Sequence, residues 1–393
     1  MTRVAFVTER FPDPARPGQV DWLAAVQARG IGVEVFAEQV GEPDRPIPFA
    51  VRALGRGRTW GARENAVGLG RAWARAHYLL REAPSPKQAV RAIARYLPAL
   101  RHSVDLLHFD SAHVLARWRL LPKLLEAPAL VTLRGADLAD EDVCRSALCV
   151  ADHVLVASRH LLAEAERLGC AKPISVVPEG VGTDFFCPAA GSEPPSGAYR
   201  LISCGELTWQ TGPEFAVQAV ALLVKRGLNV EYCVAGDGDM REAVLYTAAE
   251  LGILNRVRVC SYLAAEALRD SLRQCNAYVA ANVAEDDGVG PLLAQACGVP
   301  VVCTDAGALP EMVEDGVTGL LAKRRDAWDL AEKLAAVLGN PGQLTAKGLR
   351  ARWRARALFS TSQRAERMAL VYGALSSARV AVGAGQTARI GYG

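Results

Sequence analysis

Short apolar runs recur along this chain, and most are followed by a stretch of helical spacing and then another such run. RVAFVT reads as a buried strand, a loop with Pro12, Pro14 and Pro17 follows, VDWLAAVQARG has helical spacing and stops at Gly30, and GVEVFA is the next strand. A strand, helix, strand unit is the signature of a parallel sheet covered by helices. DLLHF, ALVTL, HVLVAS and ISVVP continue it, with HLLAEAERLG as a helix between the last two. A second series begins at RLISCGEL and runs through VEYCVAG, VRVCSYL, AYVAA and VPVVCTDA, with helices expected near Pro213 to Arg226, Met240 to Gly252 and Ala265 to Cys275. Between the two series, FCPAAGSEPPSGAY is rich in Pro, Gly and Ser and reads as a linker.

The expected class is therefore α/β with two doubly wound, Rossmann-like domains. The first spans 1–188, the second 198–348, and residues 378–393 form a Gly-rich tail expected to be poorly ordered. At 393 residues the chain has length for two such domains. No apolar run reaches the ~18 residues of a bilayer span, and the N-terminal segment lacks the pattern of a secretion signal. The expected location is cytoplasmic. Ten cysteines are scattered singly and never as CxxC, which points to small core residues in a reduced protein and to no metal site.

Charge is uneven. Between Arg52 and Arg101 eleven Arg and Lys residues face only Glu64 and Glu82, with Trp60, Trp73 and Tyr78 interleaved. Such a segment is either a solvated helical face with its aromatics inward, or a surface for anionic lipid headgroups or acidic ligands at the inner face of a membrane. No nucleic-acid module accompanies it, and no nucleic-acid partner is expected.

Loops after the strands carry the polar residues: HFDSAH, LRGADL, CGELTWQTG, AGDGD and ANVAEDDGVG. In doubly wound folds ligands sit at the carboxyl ends of strands. CGELTWQTG and AGDGD can present backbone N–H groups to a phosphate, or can be plain turns whose glycines carry no ligand.

In order, LISCGELTWQTG, CVAGDGDMRE, LGILNRVRV and EDDGVGPLLAQACGVPVVCTDAGALPEMVEDGVTGLL resemble the donor-binding half of glycosyltransferase family 4. ARGIGVEVFA, DLLHF, LVTLRGAD, ADHVLVAS and SVVPEGVGTDFF resemble its first half. The resemblance implies a GT-B architecture: two domains facing across a cleft, an acceptor domain first and a donor domain second, with a helix around 349–377 crossing back to the first. It implies a hexosyltransferase-like enzyme that moves a sugar from a nucleotide diphosphate sugar with retention, without cofactor or metal. The nucleotide sugar would lie against Gly18, Gly205, Glu206, Gln210, Thr211, Gly236, Gly238, Leu263, Gly288, Val289 and Leu293. Glu285, His108, Arg134 and Asp137 would be the catalytic set.

Several positions depart from that family's pattern. Glu206 stands where Arg is common after the loop glycine, and Thr211, preceded by Gln210, where Lys is common before the second glycine. Leu293 replaces the glutamate that accepts from the ribose, Gly182 stands where Asp is usual, and Asp286 and Asp287 add acid beside Glu285. A carboxylate in place of a guanidinium repels a diphosphate and removes a bidentate donor. Arg134 can replace a lost cation or be a salt-bridge partner of Asp137 or Asp140, and His108 can be a structural hydrogen-bonder. Alongside a transferase with an atypical donor site, two other readings stand: a noncatalytic relative that binds a protein partner, and a GT-B enzyme whose donor lacks a diphosphate.

Overall fold

A computed structural model describes the chain except residues 1, 14, 15, 17, 43–45, 57–68, 83–84, 101, 190–196, 285–287 and 384–393. The described residues form two compact units. The first holds residues 1–157, 162–177 and 365–393, and the second holds 158–161 and 178–364.

Elements up to residue 177 run β1 (Arg3–Phe11), α1 (Gln19–Gln27), β2 (Gly32–Val40), β3 (Ala50–Arg56), α2 (Leu69–Glu82), α3 (Pro86–Leu100), β4 (Leu106–Phe109), α4 (Ala112–Arg117), α5 (Leu121–Leu125), β5 (Ala129–Leu133), α6 (Gly135–Ala139), α7 (Glu141–Val150), β6 (His153–Val156), α8 (Arg159–Arg167) and β7 (Ile174–Val176). Their seven strands are parallel, in the order β3-β2-β1-β4-β5-β6-β7. Every residue of β4, β5 and β6 is buried, as a sheet covered on both faces requires.

From residue 199 onward come β8 (Tyr199–Cys204), α9 (Pro213–Lys225), β9 (Val230–Ala235), α10 (Arg241–Glu250), β10 (Val257–Cys260), α11 (Ala265–Arg273), β11 (Ala277–Ala280), α12 (Val289–Ala296), β12 (Val301–Thr304), α13 (Leu309–Met312), β13 (Gly319–Ala322), α14 (Ala327–Leu338), α15 (Pro341–Leu358) and α16 (Thr361–Gly383). Six parallel strands take the order β10-β9-β8-β11-β12-β13. Both sheets thus follow one doubly wound plan.

Four features differ from the sequence reading. Arg52 lies not on a helical face but in β3, where its Nε donates to Glu34 Oε1 at 2.8 Å and only 6% of the residue is exposed. The strand β13 was hidden in a mixed segment, GLLA. Composition set the linker at 186–199, yet Val181 and Phe186 already pack in a core of the second unit, with Ile202 and Leu292. A single helix at 349–377 is instead two helices, because Val181 N–H donates to Phe359 O and Thr361 N–H donates to Val181 O, which takes those backbone groups out of a helical ladder. The second of them, α16, continues through residue 378 to Gly383.

Ala365, Met368 and Tyr372 of α16 are fully buried in a core of the first unit, beside Phe6, Leu106 and Leu130. We expect Met368→Ala to cost about 2–5 kcal/mol. Amide exchange should quicken in β1 and β4, and unchanged exchange there would show that α16 does not support that sheet.

Candidate functional site

In each sheet the winding reverses once, between β1 and β4 and between β8 and β11. Crossovers on either side of a reversal leave to opposite faces and open a crevice at the carboxyl ends of the strands.

At the reversal in the first unit, Asp110 follows β4 directly, is 5% exposed and collects four side chains. Arg134 Nη2 donates to its Oδ1 at 2.6 Å, and Oδ2 accepts from Arg16 Nη1 at 2.6 Å, Thr8 Oγ1 at 3.0 Å and Gln19 Nε2 at 3.4 Å. Arg134 Nε also reaches the Asp110 carbonyl at 3.0 Å. Burial alone pushes the Asp110 carboxyl up, but the Arg134 and Arg16 guanidiniums outweigh it and hold the acid well below the usual carboxylate range. The Arg134 guanidinium thus pairs with Asp110, where the sequence named the Asp137 or Asp140 carboxylate. Gly18 is the N-cap of α1, between Arg16 and Gln19, which brings it to the same reversal.

Asp137 is 1% exposed and ties two loops together. Its Oδ1 accepts from Ala112 N–H at 3.0 Å and sits 2.9 Å from His113 Nδ1, while its Oδ2 accepts from Arg134 N–H at 2.9 Å. The His113 side chain is 41% exposed, with Nε2 3.6 Å from Asp140 Oδ2, so Asp137 fixes the orientation of a ring that reaches solvent. His108, by contrast, is 1% exposed: Nδ1 is 2.6 Å from Tyr372 Oη and Nε2 is 2.7 Å from Thr132 Oγ1, and Phe6 packs edge-on against the ring. This is the geometry of a structural hydrogen-bonder.

At the reversal in the second unit, the loop after β8 folds on its own backbone. Thr211 Oγ1 accepts from Thr208 N–H at 3.2 Å and lies 2.9 and 3.1 Å from the carbonyl oxygens of Thr208 and Glu206. The Gln210 carbonyl accepts from Val283 N–H at 2.8 Å, and Glu206 points to solvent. Gly236 and Gly238 pack directly on this loop: a methyl group on Gly236 would overlap the Gly205 carbonyl oxygen, and one on Gly238 the Leu207 carbonyl oxygen. Their small size is therefore set by contact between two backbones, whatever ligand the loops hold.

Gly288, with φ +65°, caps α12 in the left-handed region, and Val289 starts the helix. The first-turn N–H groups of a helix have no carbonyl partner within it. Tyr278 Oη donates to Cys204 O at 2.9 Å and accepts from Cys204 N–H at 3.1 Å, and it meets Gly290, where a side chain would overlap it. Leu293 is 4% exposed and lies in an apolar core with Tyr278 and Leu292, against which the half-buried Leu263 packs. Leu293 thus contributes its side chain to packing. Glu285, Asp286 and Asp287 lie outside the described residues.

The sequence reading missed Asp110, Arg16, Thr8, Gln19 and His113. The quoted loop HFDSAH contains Asp110 and His113, but their partners stand up to 102 positions away. A separate polar hollow in the first unit, lined by Arg71, Arg75, Tyr78, Lys123, Asp105 and Glu126, lies toward the amino ends of β4 and β5, away from the reversal. Among the described residues no group of three His, Cys, Asp or Glu side chains is placed to hold a metal. All ten cysteines are free, and burial pushes the Cys275 and Cys297 thiols up to about 12.

The family model described as "Glycosyl transferases group 1" matches residues 190–358. A D-inositol 3-phosphate glycosyltransferase of Nocardia farcinica is 30% identical over 344 residues, covering 77% of this chain and 74% of that one. Among solved structures, sucrose-phosphate synthase of Thermosynechococcus elongatus aligns over 96% of this chain and 100% of its own, with TM-score 0.74 and 22% identity. Anabaena HepE in complex with UDP-glucose aligns over 95% and 100%, with TM-score 0.74 and 16% identity. These likenesses and the two parallel sheets make the fold a two-domain, Rossmann-like GT-B fold.

Asp110→Ala removes the buried carboxylate shared by Arg134 and Arg16 and should destabilise the protein by about 3–5 kcal/mol at neutral pH. Because the folded acid titrates below its ordinary value of 3.8, its contribution is present above about pH 4 and fades as pH falls toward the lowered value. Stability curves of Asp110→Asn and the parent should therefore converge in acid. A constant gap from pH 7 down to the acid limit would refute this.

Proposed function

The chain belongs to glycosyl transferases group 1, and from that premise we propose that it transfers a hexose from a nucleotide diphosphate sugar to an acceptor hydroxyl, with retention and in the manner of family 4. The observation that carries the proposal is the second reversal, where the glycine loop 205–212 and the capped start of α12 stand at neighbouring strand ends. Residues 204–212 and 281–290 contain no Lys or Arg. A diphosphate held there would be met by backbone N–H groups and the positive end of α12, not by side-chain cations. That is the sense in which the donor site is atypical. The UDP-glucose bound by HepE supports a nucleotide sugar as donor, and the name of the Nocardia relative supports transfer of a glycosyl group.

In this reading residues 198–348 serve the donor. Residues 1–188, with the returning helix, serve the acceptor, whose hydroxyl would lie near His113, Asp137 and Arg134. Glu285 would contact the transferred sugar, and His108 would hold the sheet beneath in place. The bond from the anomeric carbon to the diphosphate breaks, the acceptor hydroxyl oxygen bonds that carbon on the same face and passes its proton to the departing diphosphate oxygen, and the departing charge is stabilised by N–H donors already in place.

Titration calorimetry with UDP- and GDP-hexoses, followed by an assay for sugar transfer or slow hydrolysis, tests this. Glu206→Arg should tighten nucleotide diphosphate binding about ten-fold or more by adding a charge-assisted contact. Glu285→Ala should slow turnover about 100-fold while leaving the nucleotide bound. No heat with any nucleotide from a folded protein would sink the proposal.

A further inference from the structure

Helices α2 and α3 pack on each other as a pair. Arg75 and Leu79 of α2 and Ala89, Tyr96, Ala99 and Leu100 of α3 are buried. Large apolar side chains nevertheless remain outside: Trp73 is 69% exposed, Val90 65%, Leu97 57% and Leu80 44%. Trp73 and Leu80 are seven apart in α2, and so are Val90 and Leu97 in α3, so each pair lies on one stripe of its helix.

The charge beside these stripes has one sign. Arg81, Lys87 and Arg91 are exposed and form no hydrogen bond or ion pair among the described residues. Glu82 is the only acid between residues 69 and 100. Arg95 is already engaged, donating to Arg117 O at 2.8 Å and stacking over Trp118. An ordinary solvated face mixes both signs and does not leave Trp, Leu and Val side chains in water together. A basic face with an indole and aliphatic side chains matches the layer where anionic headgroups meet acyl chains. No helix among the described residues is long and apolar enough to cross a membrane, so contact would be interfacial.

We propose that the α2–α3 pair docks on a bilayer rich in anionic lipid. Trp73, Leu80, Val90 and Leu97 enter the interfacial layer, and Arg81, Lys87 and Arg91 meet the headgroup phosphates. The polar hollow beside α2 contributes nothing to this, since Asp105 and Glu126 line it along with its cations.

The test uses the full chain and large unilamellar vesicles, without nucleotide, so that its failure leaves the transfer reaction untouched. Sedimentation with vesicles of equal phosphatidylcholine and phosphatidylglycerol should exceed that with phosphatidylcholine alone by at least ten-fold and fall as salt is raised. Each cation is worth about a five-fold change in partition, so Arg81→Glu with Arg91→Glu should weaken binding about 25-fold or more. Trp73→Ser should weaken it too and remove most of a blue shift in tryptophan emission, with the circular dichroism of both variants unchanged. Equal binding to both vesicle types, no binding, or variants that bind like the parent would overturn the proposal. So would self-association through this face, seen as a dimer by light scattering that Trp73→Ser dissolves.

Discussion

A strand that pairs in parallel with its predecessor must be reached by crossing a face of the sheet, and that crossing is almost always right-handed. With the order β3-β2-β1-β4 in one unit and β10-β9-β8-β11 in the other, the chain winds outward one way, returns to the middle and winds outward the other way. The faces are filled with helices, and the strand interiors are apolar. The carboxyl ends beside the reversal are therefore a favourable place for polar side chains to gather. Thr8, Arg16, Gln19, Asp110 and Arg134 meet there in the first unit, and the loop at 205–212 and the start of α12 stand there in the second.

The two reversals handle charge in opposite ways. In the first, a buried carboxylate is balanced by two guanidiniums. The desolvation that would otherwise neutralise the acid is offset, and each partner depends on the others staying in place. In the second, no Lys or Arg occurs in the two loops, and the contacts are backbone on backbone: Leu207 N–H to Asp237 O at 2.9 Å and Met240 N–H to Leu207 O at 3.0 Å. Such a frame costs no desolvation of charge. Its directed N–H groups act by position more than by number.

The sheets were legible in the sequence because fully buried parallel strands such as LLHF, ALVTL and AYVA read as continuous apolar runs. β3 was not, because Arg52 sits inside it and is tolerated only through Glu34 on the neighbouring strand, a pairing that no local pattern announces. The break between α15 and α16 was hidden for a similar reason, since it is made by Val181, far away in sequence. Gly205, Gly236, Gly238 and Gly288 were found readily as loop glycines, but Gly236 and Gly238 are small because Gly205 and Leu207 carbonyls lie against them. Local sequence marks where a backbone is unusual; it does not say whether another backbone or a ligand made it so. Asp110 shows the remaining gap, for its loop was noticed while the partners that give it meaning were not.

Tyr278 holds the second reversal together. Its position on a fully buried strand would leave a phenolic hydroxyl stranded, and the hydroxyl is satisfied by both backbone groups of Cys204, the last residue of β8. The same oxygen sets how closely α12 can approach, because residue 290 must have no side chain there. One tyrosine thereby fixes the end of β8, the end of β11 and the first turn of α12 relative to one another. The glycine loop and the helix terminus start from those three points, so their N–H groups are held by the core instead of being positioned by flexible side chains. Backbone N–H donors depend on that kind of support, since one displaced by an ångström loses most of its value to a charge, whereas a long arginine could follow it.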